Sequence, residues 1–217
     1  MGRVTVRTPV TRLDLGADGV LQQTRRPDTL TAEEPLEVRV AGRALTVTMR
    51  TPGVDFDLTI GFLLGEGLLH GADDVATLMH CQDAGDDGRP TYNVVDVVLA
   101  EGVPAPDVSL ERHFFASSSC GVCGKASLDA VRLRSHHDVS ADATTWPAEP
   151  LLGLPDALRE QQQVFGRTGG LHAAGLVSPD GDCSWCARTS GGKTRSTRSW
   201  GGRPARWGCR SPGTCWW

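Results

Sequence analysis

The 217-residue sequence lacks the features that would place a protein in a membrane or in a secretory pathway. No apolar run approaches the roughly 18 residues that a transmembrane helix needs. No basic-then-apolar leader follows Met1, so no secretory signal is expected. Acidic residues outnumber basic residues by 26 to 22, which argues against broad binding to nucleic acid. The sequence therefore predicts a soluble, cytoplasmic protein without membrane or nucleic-acid partners.

Common nucleotide signatures are also missing, since neither a phosphate-binding loop nor a glycine-rich dinucleotide fingerprint is present. No internal repeat is visible in the sequence. The length suits one domain of about 200 residues or two small ones, each large enough to bury a core.

The last 35 residues, 183–217, have a composition unlike the rest of the chain. They contain six Arg and one Lys but no Asp or Glu, so their formal charge is +7 and that of residues 1–182 is −11. They hold five of the six Trp and four of the seven Cys, but no Val, Ile, Leu, Met or Phe. A segment without these large apolar residues has no continuous aliphatic face to bury. Two interpretations follow: a basic disordered tail, or sequence that was never selected as protein.

Hydrophobic periodicity in residues 1–182 predicts strands first and helices mixed in later, which is typical of a mixed α+β or α/β fold. A weak pattern over Val4–Leu15 predicts an edge strand, and polar residues 16–32 predict a loop. Two alternating runs around Ala41-Gly42 predict a β-hairpin. A helix is expected after an Asp55 or Asp57 cap, with an apolar face that extends to Leu68. The other predicted elements are strands at Ala76–Cys81, Thr91–Ala100 and Leu171–Val177, a loop and helix at Ser117–Arg134, and a helix at Pro155–Phe165.

The cysteine motif at Ser117–Lys125, SSSCGVCGK, is the most reactive stretch of the chain. Small residues leave the sulfurs of Cys120 and Cys123 uncrowded. A helix that starts near Gly121 would favour the thiolate over the thiol, and Lys125 adds a positive charge. Such a thiolate could attack or hold a sulfur atom, and the second cysteine could resolve a disulfide or protect a persulfide.

Three other interpretations of this motif remain open at the level of sequence. Cys120 and Cys123 could be half of a zinc site that Cys183 and Cys186 complete. They could also form a thioredoxin-like redox pair, or be ordinary loop cysteines. The isolated Cys81 lies in a strand pattern and is predicted to belong to the core.

His172 follows two glycines in TGGLHAA, residues 168–174, and is the strongest histidine candidate. It could act as a general acid or base, or orient a group near the cysteines. A hydrogen-bonded core histidine is the alternative. His136 and His137 suit a solvated helix end. The segments 33–35 and 50–53 carry turn signals, without a demonstrated ligand role.

Four stretches together resemble the formate dehydrogenase accessory sulfurtransferase family, FdhD. They are EPLEVRVAG at 34–42, TMRTPG at 48–53 with its continuation through 57–67, the cysteine motif at 117–125, and TGGLHAA at 168–174. Their order and spacing agree over residues 10–182. Val54 departs from the family, in which a polar residue such as His is common there.

The resemblance implies a cytoplasmic sulfur carrier, a sulfurtransferase with a cysteine persulfide intermediate. Such proteins receive sulfur from a cysteine desulfurase and pass it to a bis-molybdopterin guanine dinucleotide that holds molybdenum or tungsten, before this cofactor enters formate dehydrogenase. The cofactor is then substrate or ligand, and none is permanently bound. By motif position Cys120 carries the persulfide and Cys123 assists, with His172 as a further catalytic candidate; no metal ligand is implied.

The same resemblance implies a homodimer and a two-lobed architecture. Residues 1–105 would form an N-terminal α+β lobe with the hairpin and the helix. Residues 106–182 would form part of a cytidine-deaminase-like α/β lobe that is incomplete in this chain. Residues 183–217 would be an out-of-frame, disordered tail.

A shifted reading frame explains that tail. The family continues after the His172 motif with REDVGRHNAVDK, which this chain does not show. One allowed codon choice for Trp185–Arg198, read from the last base of the first codon, gives VREDVGRQNAVDK. We therefore hypothesise a frame break near Gly181–Trp185, which would leave this copy without the family's cofactor-binding segment. Cys183 and Cys186 would then be accidents of the wrong frame, which weakens the zinc interpretation.

Overall fold

A computed structural model of the chain describes residues 3–81, 91–105, 143, 145–177, 183–189 and 215–216. These residues form three separate β-sheets and three α-helices, which confirms the mixed α+β class. The cytidine-deaminase-like character of the second lobe and the boundaries of the predicted units stay predictions. None of the helices in these ranges is both long and apolar enough to span a bilayer.

The chain begins with a two-stranded antiparallel ribbon. Strand β1, Thr5–Leu15, pairs along its whole length with β2, Leu21–Thr31. The strand predicted in the first segment is confirmed, whereas the loop predicted at 16–32 is wrong. Most side chains of β2 are exposed, so selection imposes no apolar alternation that a periodicity search could detect.

The central sheet has four strands in the order β4-β3-β6-β5. They are β3 at Glu34–Val40, β4 at Arg43–Arg50, β5 at Val75–Cys81 and β6 at Val94–Leu99. The β3–β4 hairpin turns at Ala41 and Gly42, whose φ angles of 51° and 76° suit a tight two-residue hairpin turn. These four strands confirm the hairpin and both later strands predicted here. Pro35 lies within β3, so the turn predicted at 33–35 is wrong.

A bulge in β4 inverts the expected faces of that strand. Val38 pairs with Thr46 while Arg39 pairs with Ala44, so Leu45 has no partner residue on β3. Beyond the bulge, the apolar Val47 and Met49 are 48% and 46% exposed. The residues that alternate with them are Thr46, Thr48 and Arg50. They lie on the same face of the sheet as the core side chains of β3, and Arg50 is fully buried. One extra residue in a strand thus turns a polar set inward.

Helix α1, Asp55–Gly65, covers that inward face of the sheet. Its cap residue is Val54, with no side-chain capping bond, so the predicted Asp cap is wrong; Asp55 and Asp57 lie in the first turn. The helix ends before Leu68, earlier than predicted. The core that it shares with the sheet consists of Leu36, Val38, Val40, Leu45, Leu58, Ile60, Phe62, Leu63, Leu69, Val95 and Val97. A single 3₁₀ turn at Ala72–Asp74 leads into β5.

The C-terminal described elements are α2 at Ala148–Glu160, α3 at Gln163–Thr168 and β7 at His172–Val177. The strand predicted at Leu171–Val177 is confirmed. The helix predicted to start at Pro155 is wrong in its bounds, because Pro155 lies inside α2. Proline is a frequent first helical residue, and that preference misplaced the start. The predicted loop and helix at 117–134 lie outside the described residues.

Two short strands flank β7 in a sheet of order β8-β7-β9. They are β8 at Cys183–Thr189 and β9 at Cys215–Trp216, both antiparallel to β7. Both lie in the segment predicted to be disordered, so disorder does not extend to them. Pairing between strands uses backbone N–H and C=O groups, which every residue except proline supplies.

Candidate functional site

The predicted site residues are only partly described by the structure. Cys120 and Cys123 lie outside the described residues, so their roles stay predictions. Cys81, expected in the core, is partly exposed at the end of β5 as a free thiol. Cys183 and Cys186 belong to β8, where they pair with Val177 and Gly175 of β7.

His172 is exposed at the first position of β7. The residues around it are buried: Leu171 is 5% exposed and Ala173 is 8% exposed. The alternative of a core histidine is therefore wrong, since its imidazole lies at the surface. Buried neighbours on both sides hold the backbone here, while His172 itself is exposed to solvent.

The structure reveals a second polar arrangement, centred on Arg50, that sequence reasoning missed. The Arg50 side chain is fully buried, with 0% exposure. Its Nη1 donates to Glu34 Oε2 at 3.0 Å, and its Nη2 donates to Asn93 Oδ1 at 2.9 Å and to the Tyr92 carbonyl at 3.4 Å. A buried cation requires this degree of pairing, because an unpaired charge is costly to remove from water.

Asp55 completes the ionic shell of Arg50 from the first turn of α1. Its Oδ1 lies 3.1 Å from Arg50 Nε, and the carboxylate belongs to a residue only 7% exposed. The geometry of this contact misses that of a hydrogen bond, so it is an ionic contact. Arg50 thereby ties together β3, β4, α1 and the segment before β6.

His80 extends the cluster on the other side of Asp55. Its Nε2 lies 3.9 Å from Asp55 Oδ2, which is too long for a hydrogen bond. The imidazole stacks on Phe56, with ring centroids 4.8 Å apart, and is perpendicular to the Tyr92 ring, with centroids 5.7 Å apart. Tyr92 has a φ of 54°, the left-handed region that tyrosine seldom adopts.

The Arg50 cluster consists of Arg50 with Glu34, Asp55, His80, Tyr92 and Asn93. It holds the start of α1 against the central sheet. It lies beside the turn 51–53, in which Gly53 has a φ of 137° that favours glycine. A ligand-binding role for this turn stays unassigned. The available sequence signal was a charged residue at the end of an alternating strand, directly before a Thr-Pro-Gly turn.

A metal centre has no support within the described ranges. No group of three or more His, Cys, Asp or Glu side chains there could hold a metal ion. The zinc module that would combine the two cysteine pairs needs Cys120 and Cys123, which lie outside these ranges, so this result does not bear on it.

Comparison with known proteins places this chain beside the FdhD/NarQ family. The FdhD/NarQ family model matches residues 31–188. The sulfur carrier protein FdhD of Mycolicibacterium paratuberculosis is 51% identical over 179 residues, which are 82% of this chain and 64% of that protein. The protein of the same name from Streptomyces avermitilis is 52% identical over 184 residues, 84% of this chain and 63% of its own length. The chain thus spans just under two thirds of these relatives.

A solved structure shares the fold. It is described as that of a formate dehydrogenase accessory protein from Desulfotalea psychrophila. The TM-score is 0.58 at 13% sequence identity, and the match covers 92% of this chain and 66% of the other. At that identity the likeness concerns the fold alone.

Proposed function

Because this chain belongs to the FdhD/NarQ family, we propose that it is a cytoplasmic sulfur carrier, a sulfurtransferase that serves formate dehydrogenase. Sulfur arrives from a cysteine desulfurase and is held as a persulfide on Cys120, with Cys123 as the assisting thiol. The acceptor is a bis-molybdopterin guanine dinucleotide with molybdenum or tungsten. The working form is a homodimer, as the resemblance to the family implies.

The observation that carries this proposal is the identity of about one half, over more than four fifths of the chain, with relatives named as sulfur carriers. Identity at that level over 179 to 184 residues is far above the level at which folds alone are shared. It directly supports a role as a sulfur carrier. The roles of individual residues are supported by the motif at 117–125.

The loading step is a thiolate exchange between two proteins. The Cys120 thiolate attacks the terminal sulfur of a persulfide on the desulfurase, and a new S–S bond forms on Cys120. The S–S bond of the donor breaks, and the donor cysteine leaves as a thiolate that takes up a proton. No net oxidation occurs, since the sulfane sulfur moves with its oxidation state unchanged.

Intact-protein mass spectrometry tests this proposal. After incubation with a cysteine desulfurase and cysteine, the 217-residue chain is expected to gain the mass of one sulfur atom. Peptide mapping should place the added sulfur on Cys120, and a reducing agent should remove it.

The Cys120→Ala variant is the matched control for this measurement. It is expected to gain no sulfur under the same conditions, whereas Cys81→Ala should load like the unmodified chain. Equal loading of the Cys120→Ala variant would contradict the assignment of the persulfide.

We also propose that residues after about 185 are read out of frame. The shifted translation restores family-like text, VREDVGRQNAVDK, from residues that include no Val, Ile, Leu, Met or Phe. The family match also ends at residue 188, although it runs a few residues past the proposed break. A frame break would make this copy defective in delivering sulfur, because the family's cofactor-binding segment would be missing.

Nucleotide sequencing across codons 178–190 tests whether the reading frame breaks in this segment. We expect a one-base insertion or deletion relative to an open frame that encodes REDVG-like text and continues beyond it. An intact upstream frame in which no alternative frame encodes that text would refute the proposal.

A further inference from the structure

The hydroxyl of Thr168 is the centre of a small hydrogen-bond network at the end of α3. It donates to the Val164 carbonyl at 2.9 Å, one helical turn earlier. It accepts from the Thr31 hydroxyl at 3.0 Å and from the Gly170 amide at 3.3 Å. A hydroxyl has one proton and two lone pairs, so this group is used to its full capacity.

This network shapes the two-glycine turn that leads into β7. Gly169 has a φ of 63°, and its amide donates to the Phe165 carbonyl at 2.7 Å, which closes α3 with a left-handed cap. A Cβ on Gly170 would lie 3.3 Å from the Thr31 hydroxyl oxygen. Thr31 therefore touches the turn twice, by a bond to Thr168 and by close packing on Gly170.

Thr31 is itself held in place by the N-terminal ribbon. It is the last residue of β2 and pairs with Thr5 across the ribbon. The next residue, Ala32, is 6% exposed, and its amide donates to the Val4 carbonyl at 3.0 Å. The ribbon thus presents the Thr31 hydroxyl to the turn from a fixed backbone position.

We propose that Thr31 is a positioning residue, which fixes through Thr168 and Gly170 the place at which His172 meets its reactants. A single residue, the buried Leu171, lies between Gly170 and His172, so the position of the turn fixes the start of β7. The bond joins residues 137 apart in sequence, so the N-terminal ribbon supports the start of β7. This inference rests on the proposed function for the role of His172 in sulfur transfer.

The test compares Thr31→Val with Thr29→Val in the full 217-residue chain. Both variants remove a hydroxyl from β2 and keep a β-branched side chain, but Thr31 alone of the two bonds to Thr168. In Thr31→Val, the Gly170 amide should exchange with solvent about 2- to 10-fold faster and the His172 ring resonances should move. The pH profile of sulfur loading on Cys120 should shift in parallel. In Thr29→Val, all three measurements should match the unmodified chain.

Rescue distinguishes positioning from general damage, since Thr31→Ser retains the hydroxyl and should restore the exchange rate, the ring resonances and the pH profile. Unchanged signals in Thr31→Val, or equal changes in Thr29→Val, would overturn the inference. So would altered His172 signals with an unaltered loading profile. If the unmodified chain takes up no sulfur, the proposed function fails; the Gly170 and His172 signals then decide for or against the coupling by themselves.

Discussion

Cells that carry the frame-restored gene with Cys120→Ala are expected to show no formate dehydrogenase activity above that of cells without the gene. The variant has no thiolate to accept the sulfane sulfur, so the acceptor cofactor receives none. Removal of a nucleophile that forms a covalent intermediate lowers rates by about a thousandfold or more. The measurement is formate oxidation in extracts of cells that lack their own sulfur carrier.

The other in-frame cysteines provide the controls for that experiment. Cys81→Ala removes a partly exposed thiol of β5 and should leave activity intact. Cys123→Ala should give reduced but measurable activity, because an assisting thiol protects the persulfide without carrying it. Full activity in cells with the Cys120→Ala protein would exclude this residue as the carrier.

Replacement of Arg50 by Met is expected to lower the free energy of unfolding by about 3–5 kcal/mol. Methionine keeps much of the side-chain volume but removes the cation that Glu34 and Asp55 share. The carboxylate of Asp55, on a residue only 7% exposed, then remains buried without its guanidinium partner. Urea denaturation monitored by circular dichroism measures the loss.

Arg39→Met is the matched control, because Arg39 lies on the neighbouring strand and pairs with Glu37 at 2.6 Å. Both side chains of that pair are about 30% exposed, so the loss should not exceed about 1 kcal/mol. Adding Asp55→Asn to the Arg50 variant should recover part of the stability, since the amide is neutral. Equal losses for the two arginine variants would show that burial of Arg50 carries no special cost.

The fold was predictable where one face of an element is buried and a turn residue marks its end. The β3–β4 hairpin satisfies both conditions, with a clear alternation and the Ala41-Gly42 turn. Strand β2 fails the first condition, because most of its side chains are exposed to water. The faces of β4 were not predictable either, since the unpaired Leu45 reverses the alternation without any local signal.

The candidate sites also differ in how far the sequence alone predicts them. The cysteine motif and the His172 motif are local in sequence, so their residue types and spacing suffice to propose a chemistry. The Arg50 cluster depends on residues up to 43 positions away, which only the register of the sheet brings together. The hydrogen bond between Thr31 and Thr168 is more distant still, and no pattern in either segment indicates it.

The pairing of β8 with β7 concerns two separate properties of a segment: its regular strand structure and an apolar sequence that favours such a strand. Cys183–Thr189 adopts a regular strand although its only aliphatic side chain is the methyl group of Ala187. The edge of β7 offers a row of backbone donors and acceptors that any extended segment can satisfy. Backbone pairing at a sheet edge can therefore order a segment whose side chains bury little apolar surface, so the strand at residues 183–189 is no evidence by itself of a sequence selected for that strand.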